Sequence, residues 1–434
     1  MEIFRKWSPL AASWLLMSAE LPILSAVVAR LLHPEVSLAA FGGVVFPIAL
    51  VIESPIIMLL VASTALSSDW GSYQKLNRFM MWMGAGLTVI HAVIVFTPFY
   101  FVVAEQLIGA PMEVVGSARI GLAVMLPWSW AIGFRRFQQG VLIRFGHSQV
   151  VAWGTFIRLV SLCLVLAVGS TFRGIPGLVI ATAAAALAVM VEAGFIWLKV
   201  RPVIRLKVRC AKVVWPLLTY RVIVKFYAPL ALTTFCLLLV QPISTAAMSR
   251  MSFAFESLAV WPAVNGLIFV VRSLSLSFNE IVVSLIEREN GYKALQKFSR
   301  WLFAILTVFY SIMALSSLGW FWLNAVSGLS EELSDFAFPS LGMALLIPGL
   351  GVWQSWHQGI LVYYRRTSAI SEAVLVFLLL SVAVMWGGVA MGALSGLSIV
   401  LLGITAGMIG QTFWQWTRCR SILKEGKVAI GTGA

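Results

Sequence analysis

Apolar residues dominate this chain in runs of roughly 20 positions, and short stretches with charge, glycine or proline separate the runs. A run of that length suits a helix that crosses the ~30 Å hydrocarbon core of a bilayer. The predicted fold class is therefore an all-α integral membrane protein. Twelve transmembrane helices are predicted, near residues 8–31, 37–67, 77–103, 115–142, 147–170, 175–199, 224–249, 256–286, 300–323, 337–363, 368–391 and 395–417.

The second half of the chain repeats the first. A shift of 220 residues aligns positions 9–51 with 229–271 and gives 13 identities in 43 positions, including Pro22 with Pro242 and Arg30 with Arg250. A second match joins residues 139–143 to 358–362 at a shift of 219. Because six predicted helices separate equivalent positions, the two halves have the same orientation in the membrane. Parallel repeats of this kind are typical of transporters.

The repeat predicts two pseudo-symmetric six-helix lobes, at residues 1–198 and 226–417. A basic cytoplasmic linker at 199–225 joins them, and a cytoplasmic tail follows at 418–434. Lysine and arginine concentrate in alternate connections, so the positive-inside rule places both termini in the cytoplasm. The linker mixes basic and apolar residues, and we expect it to lie on the membrane surface.

Composition narrows the class of protein. The chain is 60% hydrophobic and 11% charged with a mean hydropathy of +0.95, which excludes an ordinary soluble protein. Topology accounts for the net charge of +14 better than nucleic-acid binding does. The sequence has no phosphate-binding loop, metalloprotease HExxH or GxSxG elbow, and its four cysteines lack metal-site spacing. We predict no catalytic residues, no metal site and no cofactor.

Several charged residues fall inside predicted spans, where insertion of a charge costs about 2.5–3.5 kcal/mol. Glu20 and Glu53 are candidates for coupling to H⁺ or Na⁺. Arg135, Arg136 and Arg272 are candidates for binding an anionic substrate, and ion pairing with the glutamates is the alternative.

Three further residues in the spans have candidate roles. Trp353 is a candidate for the wall of a substrate cavity, although most tryptophans in such a chain anchor it at the interface. His357 is a candidate for substrate binding, with simple packing as the alternative. Glu192 lies about seven residues from Lys199, and we expect a structural role for it.

Short motifs resemble the multidrug/oligosaccharidyl-lipid/polysaccharide (MOP) exporter superfamily, which includes the MATE drug exporters and lipid-linked sugar flippases. Within it the chain resembles the progressive ankylosis (ANK) branch. The superfamily motifs are Ala29-Arg30-Leu31-Leu32 with Leu38-Ala39-Ala40-Phe41-Gly42, and Arg136 with Gly140-Val141-Leu142-Ile143-Arg144-Phe145-Gly146-His147-Ser148; the ANK-like ones are Pro229-Leu230-Ala231-Leu232, Pro242-Ile243, Ser249-Arg250, His91 with Val93-Ile94, and Gly359-Ile360-Leu361.

The resemblance implies a MATE-like fold and export by alternating access, in which one lobe rocks against the other. It implies anions such as pyrophosphate, nucleotides or citrate for an ANK-like protein, and organic cations for a MATE exporter. Where many MATE proteins have an aspartate in the first span, this chain has Leu24, with Glu20 one turn earlier. Where the ANK pattern has a basic residue before Pro242, this chain has Gln241, which we include among the substrate-binding candidates.

The sequence thus predicts a secondary-active exporter or flippase of the inner or plasma membrane, working as a monomer, for an anionic phosphate- or carboxylate-bearing substrate. One alternative is an H⁺- or Na⁺-coupled MATE-type multidrug exporter. Another is a lipid-linked oligosaccharide flippase. The expected partners are a small-molecule or lipid-linked substrate and membrane lipids, without nucleic acid. A membrane enzyme and a non-transporting scaffold are alternatives from a functional class other than transporters.

Overall fold

A computed structural model describes residues 2–172, 174–286 and 291–431, with side chains described from 3 to 422. All regular secondary structure within these ranges is helical, and no strand occurs in them. The predicted all-α class is therefore confirmed. The last three residues of the tail predicted at 418–434 lie outside the described residues.

The helices divide between the two halves of the chain. The first half contains α1 (Glu2–Ser18), α2 (Glu20–Val28), α3 (Pro34–Ala40), α4 (Phe46–Ile57), α5 (Leu59–Leu66), α6 (Trp70–Phe96), α7 (Phe99–Phe101), α8 (Met112–Val124), α9 (Leu126–Arg144), α10 (Ser148–Ser170) and α11 (Gly177–Val203). The second half contains α12 (Tyr220–Leu238), α13 (Val240–Met248), α14 (Ala254–Leu276), α15 (Phe278–Leu285), α16 (Gly291–Leu315), α17 (Ser317–Phe321), α18 (Glu331–Ala337), α19 (Ile347–Tyr363), α20 (Ser368–Met391) and α21 (Gly396–Gly431). Short π-helical or 3₁₀ turns join some of them, at Phe41–Val45, Val102–Ile108, Ile204–Val208, Trp322–Val326 and Phe338–Ala344.

The number of membrane spans agrees with the sequence. Eleven continuous helical segments within the described ranges are long and apolar enough to cross a bilayer. A twelfth is formed if Met112–Val124 and Leu126–Arg144, which meet at a 44° bend, count as one span. Pro127 follows this bend directly, and a proline at a helix start suits such a change of direction. The chain is a multi-pass membrane protein.

Several predicted spans have different bounds in the structure, and the third and the ninth are examples. The third was predicted to run to residue 103, but α6 ends at Phe96, because Pro98 lacks an amide donor and disfavours helical backbone at Thr97. The ninth was predicted to begin at 300, but α16 begins at Gly291. Its first turns carry Lys293 and Lys297, so a charged stretch that resembles a connection is helical.

The repeat is visible in the backbone. Helices α1 and α2 are separated at Ala19, three residues before Pro22, and α12 and α13 are separated at Leu239, three residues before Pro242. A proline ring displaces the carbonyl four positions earlier, so each proline opens the helix one turn before itself. The two breaks are 220 residues apart, as the sequence match requires.

Turns with positive φ recur at the same spacing. His33 has φ 51° and Phe253 has φ 58°, and each precedes the helix that begins the next span. Gly146 has φ 83°, and the equivalent position 219 residues later is Arg365 with φ 58°. A side chain at positive φ costs conformational energy, so these positions are set by the fold and not by the preference of the residue.

The helices pack into two compact units. The N unit comprises Ile23–Ser249, and the C unit comprises Met1–Pro22 together with Arg250–Ala434. The first helix therefore belongs with the second half, and the seventh span belongs with the first half. The lobes predicted at 1–198 and 226–417 follow the sequence repeat, and the compact units differ from them by this exchange.

Side-chain contacts hold each exchanged helix. In the C unit, α1 packs on α14, where the Ser18 hydroxyl donates to Ser273 Oγ at 3.1 Å and Trp7 Nε1 donates to the Leu274 carbonyl at 3.2 Å. In the N unit, α12 packs on α4, where the Tyr227 hydroxyl donates to the Pro55 carbonyl. Buried side chains concentrate on α9 in the N unit and on α19 in the C unit.

The basic linker is fastened to the start of α6. Its irregular part is residues 209–219, since α11 and the π-turn after it extend to Val208. Asp69 caps α6 by accepting from the Ser72 amide at 2.9 Å, and it also accepts from the Val214 amide in the linker at 3.2 Å. Lys75 Nζ donates to the Leu218 carbonyl at 2.8 Å. Burial alone raises the pKa of Asp69, but the hydrogen bonds that it accepts outweigh burial and hold its pKa below the ordinary value of 3.8.

Replacing Asp69 with alanine should release the linker. The cap contributes about 1 kcal/mol, and its loss should raise hydrogen exchange at residues 209–219 at neutral pH. A folded-state pKa below the unfolded value contributes stability above about pH 3.8, and that stability is lost as the pH falls through the folded pKa. Exchange in Asp69→Ala and in the parent should therefore converge at lower pH.

The matched control is Ser330→Ala, which removes the side-chain cap of α18 and should leave linker exchange unchanged. Equal linker exchange in Asp69→Ala and the parent at neutral pH would show that the aspartate does not fasten the linker.

Candidate functional site

A buried group of charged side chains occupies the interior of the N unit. Glu192 on α11 has no exposed surface, and its Oε2 lies 2.5 Å from Arg135 Nη1 and 3.6 Å from Arg158 Nε. Gln139 Nε2 donates to Glu192 Oε1 at 2.9 Å. Arg135 and Gln139 are one turn apart on α9, so both reach the same carboxylate. Ion pairing is the alternative role for the span arginines, and Arg135 and Arg158 both lie within ion-pair distance of Glu192.

Glu53 and Arg136 extend this group. Glu53 on α4 is 6% exposed, and its Oε2 has no hydrogen-bond partner among the described residues. The positive charges of Arg136, Arg135 and Arg158 act on the Glu53 carboxyl group. Arg136 is half-buried, and its Nε also has no hydrogen-bond partner in the described part of the chain. We call Glu53, Arg135, Arg136, Arg158 and Glu192 the charged cluster.

The charged cluster has three guanidinium groups and two carboxylates. Glu192 is shared by Arg135 and Arg158, whereas Arg136 and Glu53 make no ion pair within 4.0 Å of each other. A charge in a membrane interior is stable only when a partner, water or a ligand compensates it. The arrangement can therefore accept an anion at Arg136 and a proton or cation at Glu53.

The remaining candidates lie on other helices than the residues of the charged cluster. Glu20 begins α2 and falls in the C unit, and it is half-buried. Gln241, half-buried on α13, belongs to the N unit. Arg272 on α14 is half-buried in the C unit, and its Nε has no hydrogen-bond partner in the described ranges. A Cβ at Gly351 would lie 3.2 Å from Arg272 Cγ, so this side chain packs directly on α19.

Trp353 and His357 both lie on α19, and each contacts a different neighbouring helix. Trp353 is 39% exposed and stacks on Phe303 of α16, with ring centroids 4.5 Å apart. His357 is 8% exposed, its Nδ1 donates to the Trp353 carbonyl at 2.7 Å, and its own carbonyl accepts from Cys419 Sγ of α21 at 3.4 Å. Their contacts fit packing roles, and substrate binding by either remains a prediction. In the described residues no group of histidine, cysteine or acidic side chains has the arrangement of a metal site.

The C unit carries a neutral version of the buried pair. Gln354 Nε2 donates to Gln411 Oε1 at 3.0 Å, and both side chains are at most 4% exposed. These residues lie 219 positions after Arg135 and Glu192, the shift of the second sequence match. The same place in the fold thus has an ion pair in one unit and an amide pair in the other.

Sequence reasoning missed the two amide residues. Glutamines carry no charge and so do not stand out inside a membrane span, and the second sequence match covers only residues 358–362. Continuing the same shift would have found them, because Gly177-Leu178 at the start of α11 aligns with Gly396-Leu397 at the start of α21.

Comparisons with known proteins place the fold. No protein-family model matches the sequence, and a search of curated proteins finds no match. A solved inward-facing multidrug resistance MATE family transporter of the MOP superfamily is 15% identical with a TM-score of 0.71, covering 94% of this chain and 96% of that one. The lipid II flippase MurJ in an inward closed conformation is 12% identical with a TM-score of 0.69, covering 93% and 86%.

A third structure is a MOP superfamily transporter from Pyrococcus furiosus, described as having a binding pocket of reverse polarity that suggests a different function. It is 15% identical with a TM-score of 0.63, covering 96% of this chain and 95% of that one. The likeness extends over nearly the whole length of each chain. This protein therefore has the MATE-like fold of MOP superfamily transporters.

Proposed function

We propose that this chain is a secondary-active exporter or flippase that works by alternating access on an anionic, phosphate- or carboxylate-bearing substrate. The observation that carries the proposal is the charged cluster, in which three buried or half-buried arginines accompany two glutamates. The excess guanidinium belongs to Arg136, for which no carboxylate of the described residues lies within ion-pair distance. An anion would supply the missing partner.

The chemistry of arginine supports an anion over a cation. A guanidinium stays charged in proteins and binds phosphate or carboxylate through two parallel hydrogen bonds. Arg272 offers a second such group in the C unit. The Pyrococcus furiosus transporter with a reverse-polarity pocket supports the idea that this fold accommodates more than one substrate charge.

Ion coupling is assigned to the glutamates. Glu53 is 6% exposed, whereas Glu20 is half-buried, so Glu53 is the stronger candidate for exchanging H⁺ or Na⁺. Glu20 is the second candidate. The chain would act as a monomer in the inner or plasma membrane with both termini in the cytoplasm, without a resident cofactor.

Neutralising the arginines tests the proposal. Arg136→Gln and Arg272→Gln should each lower proteoliposome efflux of phosphate- or carboxylate-bearing compounds about tenfold or more, because a charge-assisted hydrogen bond contributes about 1.5–3 kcal/mol. Arg221→Gln, at an exposed position on α12, is the control that should transport normally. Efflux at the parent rate in both test variants would contradict the assignment of these residues.

Two other transport functions have specific support. The similarity to a multidrug MATE transporter supports an H⁺- or Na⁺-coupled exporter of organic cations, for which Glu20→Gln should abolish ethidium efflux while Arg136→Gln spares it. The similarity to the lipid II flippase supports a lipid-linked oligosaccharide flippase. Transbilayer movement of a fluorescent lipid-linked sugar in proteoliposomes, without efflux of soluble anions, would favour that function.

A further inference from the structure

An apolar groove lies between α9 and α11 in the N unit. Its cavity volume is about 470 Å³, within the range of small-molecule sites. The walls are aromatic and the floor is built from small residues; the lining comprises Pro127, Trp130, Ala131, Phe134, Met190, Ala193, Gly194 and Trp197. Trp130 and Phe134 stack with centroids 5.4 Å apart, which gives the α9 wall a rigid apolar surface.

The groove is open on the exposed side of α11. Met190 is 43% exposed and Trp197 is 41% exposed, and α11 belongs to a segment apolar enough to cross a bilayer. Exposed apolar side chains on such a helix are suited to contact with lipid. The groove is therefore a recess that the hydrocarbon chains of the bilayer can enter.

A cation stands at one end of this recess. Met190, Gly194, Trp197 and Arg201 follow one another at intervals of four, three and four residues, so they share one face of α11. The Arg201 guanidinium lies 3.4 Å from the centroid of the Trp197 ring, in contact with the groove wall. Arg205 follows one turn later and is exposed. The apolar face thus ends in positive charge.

We propose that the groove binds one anionic phospholipid of the surrounding bilayer, with an acyl chain against Trp130 and Gly194 and its phosphate on Arg201. The face of α11 that lines the groove also carries Arg201. The apolar lining matches the lipid tail, and the arginine matches the anionic headgroup. An arginine at the end of an apolar recess between helices suits an anionic headgroup. This ligand is separate from the transported substrate, and the inference does not depend on the proposed function.

Binding has a consequence for the charged cluster. Arg135 follows Phe134 and Glu192 precedes Ala193, so the buried ion pair is adjacent in sequence to the groove lining on both helices. A lipid tail over this floor would keep water from the pair. Added phosphatidylglycerol should therefore raise the thermal unfolding temperature of the delipidated protein.

Two variants test the site, one by filling the groove and the other by removing the cation at its end. A Cβ at Gly194 would have no atom within 4 Å, so this position has space for the start of a side chain, and Gly194→Leu places an apolar group in the groove. Gly86→Leu is its control, since Gly86 is exposed on α6 and also has no atom within 4 Å of a Cβ. Arg201→Gln removes the cation, and Arg221→Gln removes an exposed charge elsewhere in the N unit.

The measurement is native mass spectrometry of purified protein reloaded with phosphatidylglycerol or phosphatidylcholine. The parent and both controls should retain one phosphatidylglycerol, Gly194→Leu should lose it, and Arg201→Gln should retain about fivefold less, as expected for one charge near a headgroup. Retention of phosphatidylglycerol by Gly194→Leu would overturn the site. Equal retention of phosphatidylcholine by the parent would overturn its preference for an anionic headgroup. Because Arg201 is exposed, its variant keeps the test decisive even if Gly194→Leu folds poorly.

Discussion

Glu192→Gln should destabilise the protein by about 3–5 kcal/mol, because it removes the buried carboxylate that two buried guanidinium groups share. Glu192 is fully buried and lies within ion-pair distance of Arg135 and Arg158. In a membrane interior, water cannot replace the lost charge without distorting the helices. We expect a large fall in the apparent thermal unfolding temperature of the purified protein in detergent.

The control for this variant is another ion pair of the same chain. Glu372 and Arg418 pair at 2.6 Å, but their side chains are 40% and 48% exposed, so Glu372→Gln should cost no more than about 1 kcal/mol. If Glu192→Gln unfolds at the parent temperature, the Arg135–Glu192 contact does not stabilise the N unit.

A double variant separates charge from packing. The variant that combines Arg135→Gln with Glu192→Gln gives the N unit a pair of amides equivalent to Gln354 and Gln411 in the C unit. It removes one of the two guanidinium groups that contact Glu192 in the parent, and it provides a neutral hydrogen bond in place of the ion pair. The double variant should therefore be more stable than Glu192→Gln alone, with the remaining deficit due to Arg158.

Gly140→Ala should destabilise the N unit by about 3 kcal/mol, because the added methyl group meets backbone and not a movable side chain. A Cβ at Gly140 would lie 2.5 Å from the Leu60 carbonyl oxygen and 2.7 Å from Ser63 Cβ. Helix α9 would have to move away from α5. That movement would also break the hydrogen bond of 2.7 Å from the Ser63 hydroxyl to the Phe137 carbonyl.

The repeat supplies a second case and the chain supplies a control. Gly359, the equivalent of Gly140, would place a Cβ 2.5 Å from Val282 Cβ, so Gly359→Ala should be damaging as well. Gly86→Ala should have the opposite sign, since its Cβ has free space and alanine favours a helix over glycine by about 1 kcal/mol. Thermal unfolding of the three variants in one detergent compares them. A neutral Gly140→Ala would mean that α9 and α5 are not in tight contact.

Much of the fold follows from local signals in the sequence. Hydrophobic runs predicted the spans because a bilayer requires helices of a fixed length. The shared prolines, Pro22 and Pro242, marked the breaks in the first and seventh spans because a proline removes a specific hydrogen bond. What the sequence did not predict is the packing of α1 in the C unit and of α12 in the N unit. Sequence similarity reports common descent of the halves and not which helices touch.

The charged cluster was only partly predictable. Glu53, Arg135 and Arg136 stood out because charge is costly inside a span, and the structure brings them together in the N unit. The sequence does not indicate which of these charged residues contact each other, because α4, α9 and α11 are far apart in the chain. Trp353 is predicted as a candidate for the wall of a substrate cavity, and its ring stacks on Phe303, a contact that no sequence spacing specifies.

The exchange of α1 and α12 between the units has a consequence for biosynthesis. Ser18 contacts Ser273, 255 positions later, so the first helix to leave the ribosome has to wait for most of the chain before it meets its partner. Tyr227 reaches back 172 positions to Pro55, so the N unit is incomplete until the seventh span is made. A chain cut within residues 209–219 would yield two fragments, neither of which contains a whole unit. Each fragment would be a poor folding unit alone, and coexpression would be needed to complete both.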